Sequence, residues 1–131
     1  MSAGVVLDTC TLLWLAADQA RLSTTARQEI AARADALFVS AISAFEIGVK
    51  HAKGKLVLPL DPQEWIARAL EQHGIHEIAV DARIAVRATQ LPLLHSDPCD
   101  RMIVATAKLH SLSILTPDPL IAAYADVNVL W

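Results

Sequence analysis

The chain has 131 residues, a formal net charge of −3, 54% hydrophobic and 19% charged residues. That length fits one domain, since compact domains commonly run about 100–150 residues, and the apolar fraction with a mean hydropathy of +0.40 excludes disorder. A membrane-crossing helix is excluded as well, because the longest uncharged stretch, Ala36 to Phe45, falls far short of the roughly 20 residues a span requires.

In chain order, Val5-Val6-Leu7 reads as a short apolar strand that stops at Asp8. Thr11 to Ala17 is an apolar helix, and Ser23 opens a second helix reaching about Arg33. Leu37-Phe38-Val39 is the next strand. Ser43 then starts a helix ending near Gly54, with Ser43 and Glu46 spaced as a capping box. Asp61-Pro62-Gln63-Glu64 opens a further helix with a cap residue and Pro at the first helical position. Gly74 separates His73 from His76, which places both histidines in a loop. Ile78-Ala79-Val80 is a third strand, followed by a helix from Asp81 to about Gln90. Asp97-Pro98-Cys99-Asp100 opens a helix to His110. Ile114-Leu115-Thr116 is a strand, Leu120 to Tyr124 a helical turn, and Val127 to Leu130 the last strand.

Strands without polar alternation, separated by helices, predict an α/β fold: a central parallel sheet with helices on both faces, residues 1–131 forming one domain. The N-terminus has no Lys or Arg before Arg21, and Asp8 interrupts its apolar run, so it does not read as a secretory signal. The reducing cytoplasm is the expected compartment. Cys10 and Cys99 are too few for a disulfide framework or a zinc site and read as small core residues.

In parallel α/β sheets, ligands bind beyond the carboxyl ends of the strands. Asp8 follows the first strand, Glu46 lies on the helix after the second, Asp118 follows the strand ending at Thr116, and Asp100 sits in the first turn of its helix. Four acids thus fall on one expected rim. Each also has a purely structural reading: Glu46 in its capping box or paired with Lys50, Asp97 as an N-cap, Asp100 as a first-turn acid, Asp118 as a turn residue. Asp8 is harder to explain that way, because an acid ending a buried strand is costly to desolvate. Clustered carboxylates repel, and a divalent cation with a preference for hard oxygen ligands, Mg²⁺ or Mn²⁺, relieves that repulsion. Such acid-only sites suit phosphodiester hydrolysis by metal-activated water. No nucleophile elbow, phosphate-binding loop or dinucleotide-binding glycine motif competes.

With these residues in place the chain resembles the PIN-domain ribonucleases, and within them the VapC-like toxins of bacterial toxin–antitoxin pairs. The resemblance runs nearly end to end. It rests on Val5-Val6-Leu7-Asp8-Thr9, Val39-Ser40-Ala41-Ile42-Ser43 leading to Phe45-Glu46-Ile47, His95-Ser96-Asp97-Pro98-Cys99-Asp100-Arg101-Met102, Leu115-Thr116-Pro117-Asp118 and the closing Leu130-Trp131. Cys99 and Pro117 depart from the family's Phe and Ala without touching a ligand. The resemblance implies a Mg²⁺- or Mn²⁺-dependent endoribonuclease whose metal-binding and catalytic acids are Asp8, Glu46, Asp100 and Asp118. Asp97 and Thr116 would support them. It further implies a homodimer, and a cognate antitoxin whose C-terminal segment occupies the active-site groove.

RNA contact calls for positive charge, which Lys50, Lys53 and Lys55 supply at the end of the Glu46 helix, with Arg101 beside Asp100 and Arg83 and Arg87 as further candidates. The lysines also read as a solvated helix end, and Arg101 as a salt-bridge partner of Asp100. The apolar stretch around Trp14 is either core or a dimer or antitoxin surface. The alternative function is a PIN-fold module that binds RNA or an antitoxin without turnover. A haloacid-dehalogenase-type phosphatase is disfavoured, since Cys10 stands where its second Asp belongs.

Overall fold

The computed structural model describes residues 4–131. Five strands form one wholly parallel sheet: β1 (Val5–Leu7), β2 (Leu37–Ser40), β3 (His76–Ile78), β4 (Ser113–Leu115) and β5 (Val129–Leu130), in spatial order β3-β2-β1-β4-β5. Helices α1 (Thr9–Ala17), α2 (Thr24–Ala32), α3 (Ala41–Ala52), α4 (Pro62–His73), α5 (Ala82–Gln90), α6 (Pro98–His110) and α7 (Pro119–Ala122) connect them, with a 3-10 turn at Gln19–Arg21. Among the described residues no helix is long and apolar enough to cross a membrane.

Strand alternation divides the core. Val5 and Leu7 of β1, Leu37 and Val39 of β2 and Leu115 of β4 pack with Leu12, Leu15, Ile47, Trp65 and Ala69 on one face. Val6 and Ile114 pack on the other with Ile84, Ala88, Ile103, Val104 and Ala107 of α5 and α6. Both faces are covered, which is why the central strands carry no polar alternation. Trp14 belongs mainly to this packing: it is half-buried, its ring centroid lies 5.8 Å from that of Trp131, and the Arg21 guanidinium stands 5.5 Å above it.

Register aligns the strand ends. Leu7 pairs with Val39 on one side and Leu115 on the other, so Asp8, Ser40 and Thr116 stand at one level at the carboxyl ends of the strands. Each is followed by a helix or a tight turn, and side-chain caps fix where these begin. Asp8 accepts the Thr11 N–H, Ser40 the Ile42 N–H, Asp97 the Cys99 N–H and Asp118 the Leu120 N–H.

Several expectations shift. The helix carrying Glu46 starts at Ala41 under a Ser40 cap, so Ser43 and Glu46 form no capping box; Ser43 is buried instead. The third strand is His76–Ile78, slightly earlier than Ile78-Ala79-Val80, because its pairing with Phe38, Val39 and Ser40 sets its span. Accordingly His73 and His76 are not loop residues. Gly74, at φ 63°, caps α4 in the left-handed conformation that favours glycine, and the chain enters β3 two residues later. His73 is the last residue of α4, and burial lowers its pKa.

Candidate active site

At the carboxyl end of β1, Asp8 is 5% exposed. Its Oδ1 accepts the Thr11 N–H at 2.9 Å, and its Oδ2 accepts the Thr116 hydroxyl. The Cys10 thiol, 3.4 and 3.5 Å from the two oxygens, adds a weak donor. Beside it, the Thr9 hydroxyl donates to Glu46 Oε1 at 2.7 Å and is hydrogen-bonded to Ser43 Oγ at 2.9 Å. Lys50 Nζ lies 3.2 Å from Glu46 Oε2, one helical turn on. This half of the site is a run of carboxylates each held by its own donors.

The other half is built around His95. Its Nε2 stands 3.0 Å from Asp100 Oδ2 and 3.0 Å from Asp118 Oδ2. Its Nδ1 accepts the Asp97 N–H at 3.2 Å, so the ring proton resides on Nε2 and a single N–H faces two carboxylates. One ligand atom from each of His95, Asp100 and Asp118 fits within 4.8 Å of the others, a grouping compact enough to hold a metal ion. Thr116 ties the halves together, since the hydroxyl that donates to Asp8 accepts the Asp118 N–H at 3.1 Å. Asp100 senses acids of both halves. Burial first, then the charges of Asp97, Glu46 and Asp8, push its carboxyl up to about 7, with the His95 ring edge working the other way.

The sequence profile of the PIN domain matches residues 5–127. The chain belongs to the PIN-domain family. It is 33% identical over 115 residues to Ribonuclease VapC22 of Mycobacterium tuberculosis, a match covering 87% of this chain and 86% of that protein. Two solved structures share the fold at lower identity. The DNA-bound VapBC complex of Salmonella typhimurium gives a TM-score of 0.69 at 16% identity, covering 96% of both chains. VapBC2 of Rickettsia felis, bound to a promoter DNA fragment, gives 0.71 at 13% identity, covering 95% of this chain and 96% of that one.

In this PIN domain the four acids marked in the sequence all line one rim. Asp97 caps α6 through its side chain, and its backbone N–H orients His95. The proton of the Thr116 hydroxyl is already given to Asp8. Lys50 pairs with Glu46, while Lys53 and Lys55 are exposed where α3 ends. Arg101 is the exception. It is 8% exposed, and its guanidinium donates to the carbonyls of Ala88 (2.8 Å), Leu91 (2.9 Å), Pro92 (3.0 Å) and His95 (3.1 Å). It therefore offers nothing to RNA and forms no salt bridge to Asp100; it holds the 91–95 segment against α5 and α6.

Sequence reasoning read Ser43 as a helix cap and gave no site role to Thr9 or His95. A hydroxyl directly after the strand-ending Asp8, and a histidine two residues before the cap of an acid-bearing helix, are the signals that point to them. Cys10 and Cys99 are free thiols at the edge of the site. Burial and the neighbouring acids push them up to about 12 and about 11 respectively.

Proposed function

We propose that this PIN domain is a divalent-metal-dependent endoribonuclease, with Asp8, Glu46, Asp100 and Asp118 holding Mg²⁺ or Mn²⁺. The observation that carries the reading is the state of Asp100: a carboxyl pushed to about 7 by burial and by three facing acids is one that a cation would return to its ionised form. The donors fit the ion, being hard carboxylate oxygens gathered on one rim. When bound, the cation supplies an activated water and neutralises charge at the scissile phosphate. The chain's own residues fix the acids. Thr116 and the Thr11 N–H aim Asp8, Thr9 and Lys50 aim Glu46, and the Leu120 N–H holds Asp118 Oδ1. Hydrolysis leaves a 5′-phosphate and a 3′-hydroxyl. Lys53 and Lys55, with Lys50, are the basic groups we assign to the RNA backbone. Setting the four site acids aside turns the formal −3 into +1, a modest attraction.

The relationship to Ribonuclease VapC22 and the fold shared with VapBC complexes support a toxin that pairs with an antitoxin. An apolar groove of about 590 Å³ between α3 and α4, lined by Phe45, Pro62, Ile66, Ala67 and Leu70, supports a protein partner close to Glu46. Phe45 stands 62% exposed at its edge. We assign the working form as a cytoplasmic homodimer, a compartment in which two free thiols persist.

The test is cleavage of structured and unstructured RNA by the purified chain, with Mg²⁺ or Mn²⁺ and with chelator. Asp8→Asn preserves the helix cap, because Asn caps as well as Asp, and is expected to abolish cleavage with the fold unchanged. Equal cleavage by wild type and Asp8→Asn, or cleavage in chelator, rejects the metal centre. A folded, metal-binding wild type that cuts no RNA supports a binding module instead.

A further inference from the structure

His95 sets an imidazole nitrogen between two of the rim acids, 3.0 Å from each, and its position admits two roles: ligand to the cation, or donor to the carboxylates. The geometry decides between them. A metal ligand needs the Nε2 lone pair, which would move the ring proton to Nδ1. There it would point at the Asp97 N–H, 3.2 Å away, donor against donor. That N–H cannot easily turn aside. Asp97 is fixed as the cap of α6 by its bond to the Cys99 N–H at 2.8 Å, and Pro98 follows it. The His95 backbone is equally constrained, its N–H donating to Tyr124 Oη at 3.2 Å and its carbonyl accepting from the buried Arg101.

We infer that His95 is a positioning residue of the metal centre, whose Nε2–H binds Asp100 and Asp118 together and sets the spacing at which the pair receives the cation. This rests on the four-acid reading given above. Two like charges brought this close separate unless something between them is positive. The N–H edge supplies that without adding a ligand, and the protein retains the pair preassembled. Partners of this kind beyond the ligands themselves typically alter metal affinity by about 10–100-fold.

The probes are Mn²⁺ and Mg²⁺ on the full chain. Loss of the free Mn²⁺ paramagnetic resonance signal measures affinity, and electron spin echoes detect nitrogen-14 bound to the ion. Wild type is expected to bind Mn²⁺ with no imidazole nitrogen in its coordination shell. His95→Phe should weaken binding at least about tenfold. His95→Gln, whose amide places an N–H near the Nε2 position, should remain within about threefold of wild type, on the same donor argument. Nitrogen-15 spectra of the His95 ring give a reading that needs no variant: the Nε2–H form should persist when Mg²⁺ is added. A nitrogen coupling lost in His95→Gln, or loss of the Nε2 proton on adding Mg²⁺, overturns the inference by making His95 a ligand. Equal affinity in all three chains, or equal loss in Phe and Gln, also overturns it. A wild-type chain that takes up no Mn²⁺ fails at the earlier step and overturns the four-acid centre itself.

Discussion

The two halves of the site hold acids in opposite ways. Around Asp8 and Glu46 each carboxylate has dedicated donors: a helix N–H, a threonine hydroxyl and a thiol for one, a threonine hydroxyl and a lysine for the other. Around Asp100 and Asp118 the two facing carboxylate oxygens share one imidazole N–H, only Asp118 has a further donor among the described residues, the Leu120 N–H, and Asp100 is pushed up to about 7. The contrast locates the electrostatic strain. The first half is a set of satisfied side chains that a cation would join, whereas the second is short of positive charge and gains most when one arrives.

The contrast breaks most sharply at Arg101. Its guanidinium serves the carbonyls of Ala88, Leu91, Pro92 and His95. Arg101→Met strands the carbonyls of Ala88, Leu91 and His95 while keeping the apolar stem; the Pro92 carbonyl retains the Leu94 N–H and the Tyr124 hydroxyl. The expected cost is about 3–5 kcal/mol, since buried polar groups stripped of a charged partner lose that much. For a chain of this size that is a fall in Tm of roughly 10–25 °C. Thermal denaturation reads it directly. An unchanged Tm with weakened RNA binding would restore Arg101 to the RNA surface.

The first half is tested by Thr9→Val, which keeps shape and deletes the hydroxyl on Glu46. Cleavage should fall about 10–100-fold, as for other residues that orient ligands, with little change in Tm. Full activity would show that Lys50 alone suffices to place Glu46.

Much of this was legible in the sequence, and for definite reasons. Asp61, Asp81 and Asp97 each start a helix where expected, because an N-cap acid is a local signal that needs no tertiary context. Val5 to Leu7 declares a doubly covered strand by lacking polar alternation. Ser43 misled, because a serine three residues before a glutamate looks the same whether it caps a helix or, as here, meets Thr9 across the sheet rim. Arg101 misled for a related reason. Its carbonyl partners lie 6 to 13 residues away on a fold-back segment, whereas sequence could suggest only the adjacent Asp100 or an RNA phosphate. The role of His95 depends on Asp118, 23 residues on, and on the tautomer that the Asp97 N–H selects.

The second half carries a pH signature. In the cation-free chain Asp100 titrates near 7, against an ordinary value of 3.8, so the folded state binds the extra proton more tightly than the unfolded state between those values. Stability therefore declines as pH rises from about 4 to about 7 and levels off above, on account of this group. Asp100→Asn should remove that slope and raise the Tm of the chelated protein at pH 8. Excess Mg²⁺ should raise the wild-type Tm at pH 8 more than at pH 5.5, where protons compete for the same carboxylate. Parallel pH profiles for wild type and Asp100→Asn would place the strain elsewhere.

The smallest expected effect compares the two thiols, which share the charge of Asp100 but not that of Asp8. Cys10 answers, after burial, to Asp8, which raises it by charge and by accepting its S–H, with a smaller contribution from Asp100. Cys99 answers, after burial, to Glu46, Asp97 and Asp100, with Lys50 opposing. Only the thiolate is alkylated, so Cys99, at about 11, should react with iodoacetamide before Cys10, at about 12, and both far more slowly than an unperturbed thiol. Asp8→Asn removes a charge that Cys10 senses strongly and that does not act on Cys99. It should therefore speed labelling of Cys10 while leaving Cys99 unchanged, as read by mass spectrometry of the two labelled peptides. Equal acceleration at both thiols would mean that the Asp8 charge reaches Cys99 as strongly as Cys10, and that the hydrogen bond from Cys10 to Asp8 adds nothing to the shift.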